Sequence, residues 1–175
     1  MSKIVAGTGH RPNRCYPLEG QTFERMIELC KASLQKMQAT EVISGMAIGF
    51  DQALATAAIK LNLPLTAAVP FAEQDAKWTP EDISRWENIL FQAKTIVFVD
   101  RQDGYLVRSS PGQYHVDKLK KRNQWMIDHC DEVLALYDGG NGGTAHCVGY
   151  AESQEKYVLN AWKSWIKYGA TSICP

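Results

Sequence analysis

Four glycines interrupt a stretch in which a buried strand is followed by a helix. Residues 131–152 read DEVLALYDGGNGGTAHCVGYAE, with a predicted strand over 133–137 and a helix that restarts at Thr144. The first N–H groups of a helix have no partner inside it, and the helix dipole favours negative charge there. The glycines permit positive φ and close approach of a ligand to the backbone. They are Gly139, Gly140, Gly142 and Gly143. The pattern predicts a phosphate site, although a flexible surface turn would also explain the glycines alone.

A second glycine-bearing loop follows the first predicted strand, 3–8. It reads GTGHRP over 7–12 and resembles the start of a dinucleotide fingerprint, but the third glycine is missing and Pro12 prevents a helix from starting directly. Open α/β sheets bind ligands at the carboxyl ends of their strands, so His10 and Arg11 are expected to face that crevice. The alternative for Arg11 is a pair with a surface carboxylate.

A third loop of this kind reads SGMAIGFD over 44–51 and leads into a helix. Asp51 falls in the first turn of that helix, where a carboxylate complements the dipole. The same position also suits a carboxylate that binds a ribose hydroxyl or acts in catalysis. The sequence leaves both interpretations open.

Three further segments carry polar or aromatic side chains. The most basic stretch, 118–123, lies in a predicted helix over 114–130; a solvated face is its usual explanation, but Arg122 and Asn123 lie toward the inner side. Gln74 and Trp78 lie in a loop after a strand, where an aromatic ring stacks on a base or covers the core edge, and we favour the second. The polar loop 100–112 is the longest and is a candidate for a mobile lid.

Strands and helices alternate along the chain. Strands are predicted over 3–8, 41–44, 65–69, 95–99, 133–137 and 156–161, and helices over 19–38, around 51–61, from Pro80, over 114–130 and from Thr144. This order predicts an α/β, Rossmann-like fold with a mostly parallel sheet and helices on both faces. The three glycine loops then converge at one edge of the sheet. We expect one domain over residues 1–175, with a divergent tail from about residue 160.

Composition limits the classes of function. The formal net charge is zero, which argues against a general nucleic-acid binder. No apolar run is long enough for a membrane span, and no signal peptide precedes the first strand, so we expect a cytoplasmic protein without a membrane partner. The five cysteines (Cys15, Cys30, Cys130, Cys147 and Cys174) lack C-x-x-C spacing and are interpreted as reduced thiols. The histidine spacing predicts no metal site.

An aromatic cluster lies near the end of the chain. Trp162, Trp165, Ile166 and Tyr168 are closely spaced. Such a cluster is not expected to stay in water; it seals the sheet edge or forms a subunit contact. Self-association as a homo-oligomer is therefore expected.

Taken together, the motifs resemble the YpsA-like branch of the SLOG superfamily, a Rossmann-like group that includes DNA-processing protein A and the Lonely Guy phosphoribohydrolases. The resemblance rests on GTGHRP, SGMAIGFDQ, PF-x-x-Q-x-x-x-W from Pro70, KRNQWMID from Lys121 and GGNGGTA, and it covers the chain from Lys3 to about Val158. It implies a nucleotide-type ligand at the carboxyl edge of the sheet. Many SLOG domains are proposed sensors of nucleotide-derived signals in bacterial and phage conflict systems, while others cleave an N-glycosidic bond.

The resemblance also implies which residues form the site. Gly142, Gly143 and Thr144 would hold phosphate. The remaining ligand-binding positions would be Gly7, Thr8, Gly9, His10, Arg11, Gly45, Met46, Asp51, Arg122 and Asn123. In the Lonely Guy type a glutamate pair follows the phosphate motif, whereas here Thr144 is followed by Ala145-His146-Cys147 and the first acid is Glu152. That departure argues against phosphoribohydrolase activity.

Three functions follow from these observations. The first is a binding protein that senses or sequesters a nucleotide-derived ligand of the ADP-ribose or cyclic ADP-ribose type, with no further cofactor. The second is a nucleotide N-glycosidase, with Asp51 as the carboxylate and His10 as the acid. The third, DNA handling, is disfavoured by the charge balance. We favour the first; whether the chain is an enzyme stays open at this point.

Overall fold

A six-stranded sheet forms the centre of the computed structural model, which describes residues 2–12, 21–110 and 112–169. The strands are β1 (Ile4–Gly9), β2 (Glu41–Ser44), β3 (Leu65–Val69), β4 (Thr95–Phe98), β5 (Glu132–Leu136) and β6 (Tyr157–Asn160). Their order is β4-β3-β2-β1-β5-β6, and every pairing is parallel. The predicted α/β, Rossmann-like fold is confirmed, with a sheet that is wholly rather than mostly parallel in these residues.

Helices cover both faces of the sheet. They are α1 (Thr22–Lys36), α2 (Phe50–Lys60), α3 (Pro80–Gln92), α4 (Val116–Asp128) and α5 (Gly143–Ser153). One buried core lies under α1, α2 and α3, and a second lies under α4 and α5. Helix α3 begins at Pro80, as predicted. The Thr79 side chain accepts the N–H of Asp82, and Pro80 occupies the first turn.

The aromatic cluster near the end of the chain seals the first core. A short helical turn, Trp162–Ser164, is continued by a π-helical turn, Trp165–Gly169. Trp165 is 1% exposed and packs in the core formed by α1 and α2, whereas Ile166 is 48% exposed. The side chain of Tyr168 lies outside the described residues. Trp165 thus covers the first core within its own chain.

The cysteines that the structure describes are free thiols. Cys30, Cys130 and Cys147 are buried, and burial raises the pKa of each thiol, to about 11 for Cys130. Cys15 and Cys174 lie outside the described residues. Along the described chain, every helix is too short or too polar to span a bilayer.

The loop that we expected to be a mobile lid, residues 100–112, is anchored near both of its ends. Lys118 on α4 reaches Asp100 at 3.1 Å, and both side chains are only 2% exposed. The same ammonium group donates to the carbonyl oxygens of Ser110 and Gln113 at 2.8 and 2.9 Å, and Gly112 N–H donates to Asp100 at 3.2 Å. A buried ion pair that also satisfies backbone groups opposes opening, so the structure gives no support to a lid here.

The strand order creates one crevice. The chain proceeds outward from β1 through β2, β3 and β4 on one side, and through β5 and β6 on the other. Loops leave β1 and β5 in opposite directions at this reversal, which opens a gap at their carboxyl ends. The glycine loops after β1, β2 and β5 surround that gap.

Candidate functional site

A cavity of about 550 Å³ lies at the carboxyl ends of β1, β2 and β5. A volume of this size suits a nucleotide-sized ligand rather than an isolated phosphate. The structure brings together ten of the residues that the sequence predicted for the site. They are Thr8, Gly9, His10, Arg11, Asp51, Arg122, Asn123, Gly142, Gly143 and Thr144.

The amino terminus of α5 opens into this cavity without a side-chain cap. Gly142 is the N-cap, with φ of 144°, and the first helical hydrogen bond runs from His146 N–H to the Gly142 carbonyl. The N–H groups of Gly143 and Thr144 precede that bond and have no acceptor within the helix. Thr144 is 6% exposed, so its hydroxyl lies inside the cavity wall. These donors and the helix dipole can receive an anion.

The charges around the cavity also favour an anion. Arg11, Lys120 and Arg122 line it, against the carboxylate of Asp51, among the residues that the structure describes. Because Asp51 and Arg122 are buried, their charges act more strongly there than they would in open water.

A buried polar network joins two glycine loops to helices α2 and α4 beneath the cavity. Arg122 donates from Nε to Asn123 Oδ1 at 2.9 Å and from Nη1 to the Gly45 carbonyl, and Nη1 lies 3.6 Å from Asp51 Oδ2. Asn123 donates to the Gly143 carbonyl at 3.2 Å, which connects α4 to the glycine loop after β5. Among the described residues, these hydrogen bonds use two of the five guanidinium donors.

Burial and the neighbouring charge shift the pKa values of Asp51 and Arg122 in opposite directions. Burial raises the pKa of Asp51, while Arg122 and the N–H of Ala47 act to lower it. Burial likewise lowers the pKa of Arg122, and Asp51 raises it. Cys147 lies behind the network, and burial raises its pKa to about 12, so it is an inert thiol rather than a nucleophile.

His10 is held by its own chain. Its Nε2 lies 2.6 Å from Asp138 Oδ1, and the side chain is 3% exposed between the rings of Tyr137 and Trp162. Asp138 also accepts the N–H of Gly140 at 2.8 Å, which shapes the glycine loop. The imidazole therefore ties the loop after β1 to the loop after β5, and its role as an acid, expected only if the chain is an enzyme, stays a prediction.

Three of the predicted ligand residues do not line the cavity. A Cβ on Gly7 would collide with Leu54, so this glycine allows α2 to approach the sheet. A Cβ on Gly45 would collide with the Arg122 guanidinium and Asp51, so this glycine makes room for the network. Met46 is fully buried in the core with φ of 62°, and its side chain points away from the ligand space.

Five lining residues were not predicted. They are Ala47, Val116, Leu119, Lys120 and His146. Val116, Leu119 and Lys120 precede Arg122 and Asn123 at helical spacing, so the periodicity of α4 could have indicated them. His146 follows Thr144 on α5, and its Nδ1 is buried with no hydrogen-bond partner among the described residues.

Comparison with known proteins places these features in a family. Residues 8–163 match the YpsA family model, described as the YspA SLOG family. The SPbeta prophage-derived protein YoqJ of Bacillus subtilis strain 168 is 31% identical over 135 residues, which span 74% of this chain and 79% of that protein.

Solved structures share the fold at low sequence identity. DNA processing protein A from Streptococcus pneumoniae superimposes with a TM-score of 0.65 at 15% identity; the match covers 98% of this chain and 56% of that chain. The molybdenum cofactor binding protein from Rippkaea orientalis gives a TM-score of 0.54 at 13% identity, with 90% and 75% of the two chains covered. At such identities the likeness concerns the fold alone.

Proposed function

The chain belongs to the YpsA SLOG family, and from that premise we propose that it binds and retains a nucleotide-derived small molecule. The ligand class is that of ADP-ribose or cyclic ADP-ribose, and the site is the cavity at the carboxyl ends of β1, β2 and β5. The single observation that carries this proposal is the uncapped amino terminus of α5, which opens into a cavity lined by Arg11, Lys120 and Arg122.

The state of the acidic and basic groups supports retention over cleavage. Stabilising an oxocarbenium-like state requires a carboxylate that faces the ribose, but the buried Asp51 carboxylate faces Arg122 across 3.6 Å and accepts the Ala47 N–H at 3.3 Å. Protonating a leaving base requires an acid that reaches it, but the side chain of His10 is only 3% exposed and is bonded to Asp138. Both predicted catalytic groups are therefore engaged in holding the site together.

One incubation analysed in two ways tests the proposal. The purified protein is mixed with AMP, NAD, ADP-ribose and cyclic ADP-ribose isomers, separated from free small molecules and then denatured. Mass spectrometry of both fractions is expected to recover one ligand intact from the protein fraction. Recovery of free base with a ribose phosphate would indicate cleavage instead, and absence of any retained ligand would reject this ligand class.

Substitution of Thr144 by Val tests the phosphate end. The change removes the hydroxyl at nearly constant volume, and we expect ligand affinity to fall by about 1–3 kcal/mol if a charge-assisted hydrogen bond is lost. Isothermal titration calorimetry measures the difference. Thr56→Val is the matched control, because Thr56 donates to the Gln52 carbonyl within α2 and does not line the cavity. Equal affinity of Thr144→Val and wild type would remove Thr144 from the site.

A second candidate function is cleavage of the N-glycosidic bond in the same ligand class. It is favoured by His146, which lines the cavity together with Asp51 and whose buried Nδ1 has no hydrogen-bond partner in the described part of the chain. In that case the incubation releases free base, and Asp51→Asn is expected to abolish the release. Full turnover by that variant would exclude Asp51 from the reaction.

We propose a small molecule rather than DNA as the partner. The most basic stretch of the sequence is not an exposed stripe, because Lys118 is paired with Asp100 and Arg122 is buried in the polar network. Binding to nucleic acid depends on exposed basic side chains near phosphates. A salt-dependent gel shift at physiological ionic strength would contradict this part of the proposal.

A further inference from the structure

A second cavity of about 480 Å³ adjoins the first. Arg11 and Leu119 line both cavities, so the side chains of these two residues lie between the two spaces. Arg11 is an exposed side chain on the loop after β1, and it therefore stands where a molecule would pass from one space to the other. A ligand longer than a ribose phosphate has room to continue into the second cavity.

The second cavity is built from aromatic rings. Phe71, Trp78 and Tyr114 line it. Phe71 is 2% exposed and meets Tyr114 edge to face at 6.0 Å, and Trp78 meets Trp86 edge to face at 6.3 Å. The contact with Trp86 holds the Trp78 ring, so Trp78 can stack on a planar group without losing much side-chain freedom. Tyr114 is 68% exposed, so its ring is accessible to the same group.

The polar groups at the cavity suit a nucleobase. Glu73 and Lys77 lie at its rim, where one supplies hydrogen-bond acceptors and the other donors. Gln74 is held beneath, because it donates to the Gly45 carbonyl at 3.1 Å and accepts the Trp86 indole N–H at 3.3 Å. The Glu73 carboxylate repels phosphate, whereas the first cavity offers the α5 amino terminus. The charges thus orient a ligand with its phosphate in the first cavity.

We propose, resting on the function proposed above, that the second cavity binds the planar aromatic base of the same ligand, with Trp78 and Tyr114 as its stacking surfaces. The ligand extends across Arg11, from the glycine loop after β5 to these rings. Residues on the loop before α3 then distinguish a nucleotide from a simple sugar phosphate.

Two probes separate the base end from the phosphate end. ADP-ribose carries adenine, and ribose 5-phosphate reproduces the sugar phosphate without it. Calorimetry measures the affinity of each probe for wild type, Tyr114→Ala and Trp78→Leu. Tyr157→Ala is the matched control, because Tyr157 is 58% exposed on β6 and lines neither cavity. Trp78→Leu keeps an apolar side chain against Trp86, and Tyr114 is so exposed that its removal leaves the core intact.

The expected result is a loss of about tenfold in ADP-ribose affinity in each variant, with ribose 5-phosphate affinity unchanged. Unchanged affinity for ADP-ribose in both variants would overturn the base subsite while wild-type binding still upheld the proposed function. Equal weakening of both probes would also overturn it, since that pattern indicates a general disturbance. If wild type binds neither probe, the proposed function fails and the subsite fails with it.

Discussion

Arg122 connects parts of the chain that are far apart in sequence. Its guanidinium donates to the Gly45 carbonyl and to Asn123, and it faces Asp51 across 3.6 Å. The contact requires that residue 45 have no side chain, because a Cβ there would overlap the guanidinium and the Asp51 carboxylate. The geometry of the cavity floor therefore depends on one glycine.

Gly45→Ala is the direct test of that dependence. We expect the free energy of unfolding to fall by about 1–3 kcal/mol, because the guanidinium must leave its buried position. Denaturant unfolding measures the change. Gly149→Ala in α5 is the control: its added Cβ meets no heavy atom within 4 Å, and alanine in a helix is expected to stabilise by about 0.5–1 kcal/mol. Equal stability of Gly45→Ala and wild type would contradict the described position of Arg122.

The buried Asp51 carboxyl predicts a pH dependence. Its pKa is raised in the folded protein, mainly by burial, so the folded state holds this proton more tightly than the unfolded state does. The contribution to stability is complete below about pH 3.9, the ordinary aspartate value, and is lost as pH rises through the raised pKa.

Unfolding of wild type and Asp51→Asn is therefore compared between about pH 4 and pH 8. We expect wild type to lose stability relative to the variant as pH rises, since asparagine does not ionise. Comparing the two proteins cancels the titration of other groups. Parallel curves for the two proteins would show that burial does not oppose ionisation of Asp51.

At the residue scale, the sequence located the site better than it oriented the side chains. The glycine loops indicated where Thr8, Arg11 and Thr144 would meet, because strand ends of a parallel sheet share one edge. The sequence could not indicate that the Met46 side chain lies in the core or that His10 is bonded to Asp138. Such orientations depend on contacts between distant segments, which periodicity does not encode.

At the element scale, helix α4 makes two different sets of contacts on two of its faces. One face presents Leu119, Arg122 and Asn123 to the ligand cavity, and another buries Lys118 against Asp100. Because Lys118 also donates to the carbonyls of Ser110 and Gln113, the position of the loop before α4 is coupled to the helix that lines the cavity.

Lys118→Met breaks this anchor. The carboxylate of Asp100 would stay buried without its counter-charge, and its Oδ1 already has no hydrogen-bond partner among the described residues. We expect the free energy of unfolding to fall by about 3–5 kcal/mol. The control is Lys120→Met on the same helix, whose ion pair with Asp117 is about half exposed and contributes roughly 0–1 kcal/mol. A similar stability for the two variants would mean that the buried pair does not anchor the loop.

The bounds of helices and strands could be predicted where particular residue types mark them. Strands β2 and β3 have the predicted limits, and α3 begins at the predicted Thr79 and Pro80 pair. The interpretation of residues 100–112 as a mobile lid finds no support in the structure, for a different reason. A lysine-rich stretch suggests a solvated face, and only the tertiary fold shows that Lys118 has a buried partner 18 residues away.

At the scale of the whole molecule, the chain closes its first core with a residue from its end. Trp165 packs against the core of α1 and α2 after the last strand. Its burial within its own chain removes one reason to expect a subunit contact. Self-association stays a prediction, and sedimentation of the purified protein as a monomer at all concentrations would contradict it.

Trp165→Ala tests whether the end of the chain stabilises the whole fold. We expect a loss of about 3–5 kcal/mol in the free energy of unfolding, because a large buried side chain is replaced by a cavity. Thermal and denaturant unfolding both report it. Ile166→Ala, at a 48% exposed neighbour, is expected to change stability by about 0.5 kcal/mol or less. Comparable losses for the two variants would show that the contact of Trp165 with the core is weak.

The Gly45 carbonyl oxygen has a consequence for how this chain can evolve. It accepts Arg122 from one cavity and Gln74 from the other, which uses both of its lone pairs. Any side chain at position 45 would overlap the Arg122 guanidinium, so the residue tolerated at position 45 depends on the residue at position 122. We expect descendants to inherit this glycine and this arginine together, and a functional relative with a bulky residue at position 45 and an intact arginine at position 122 would contradict this.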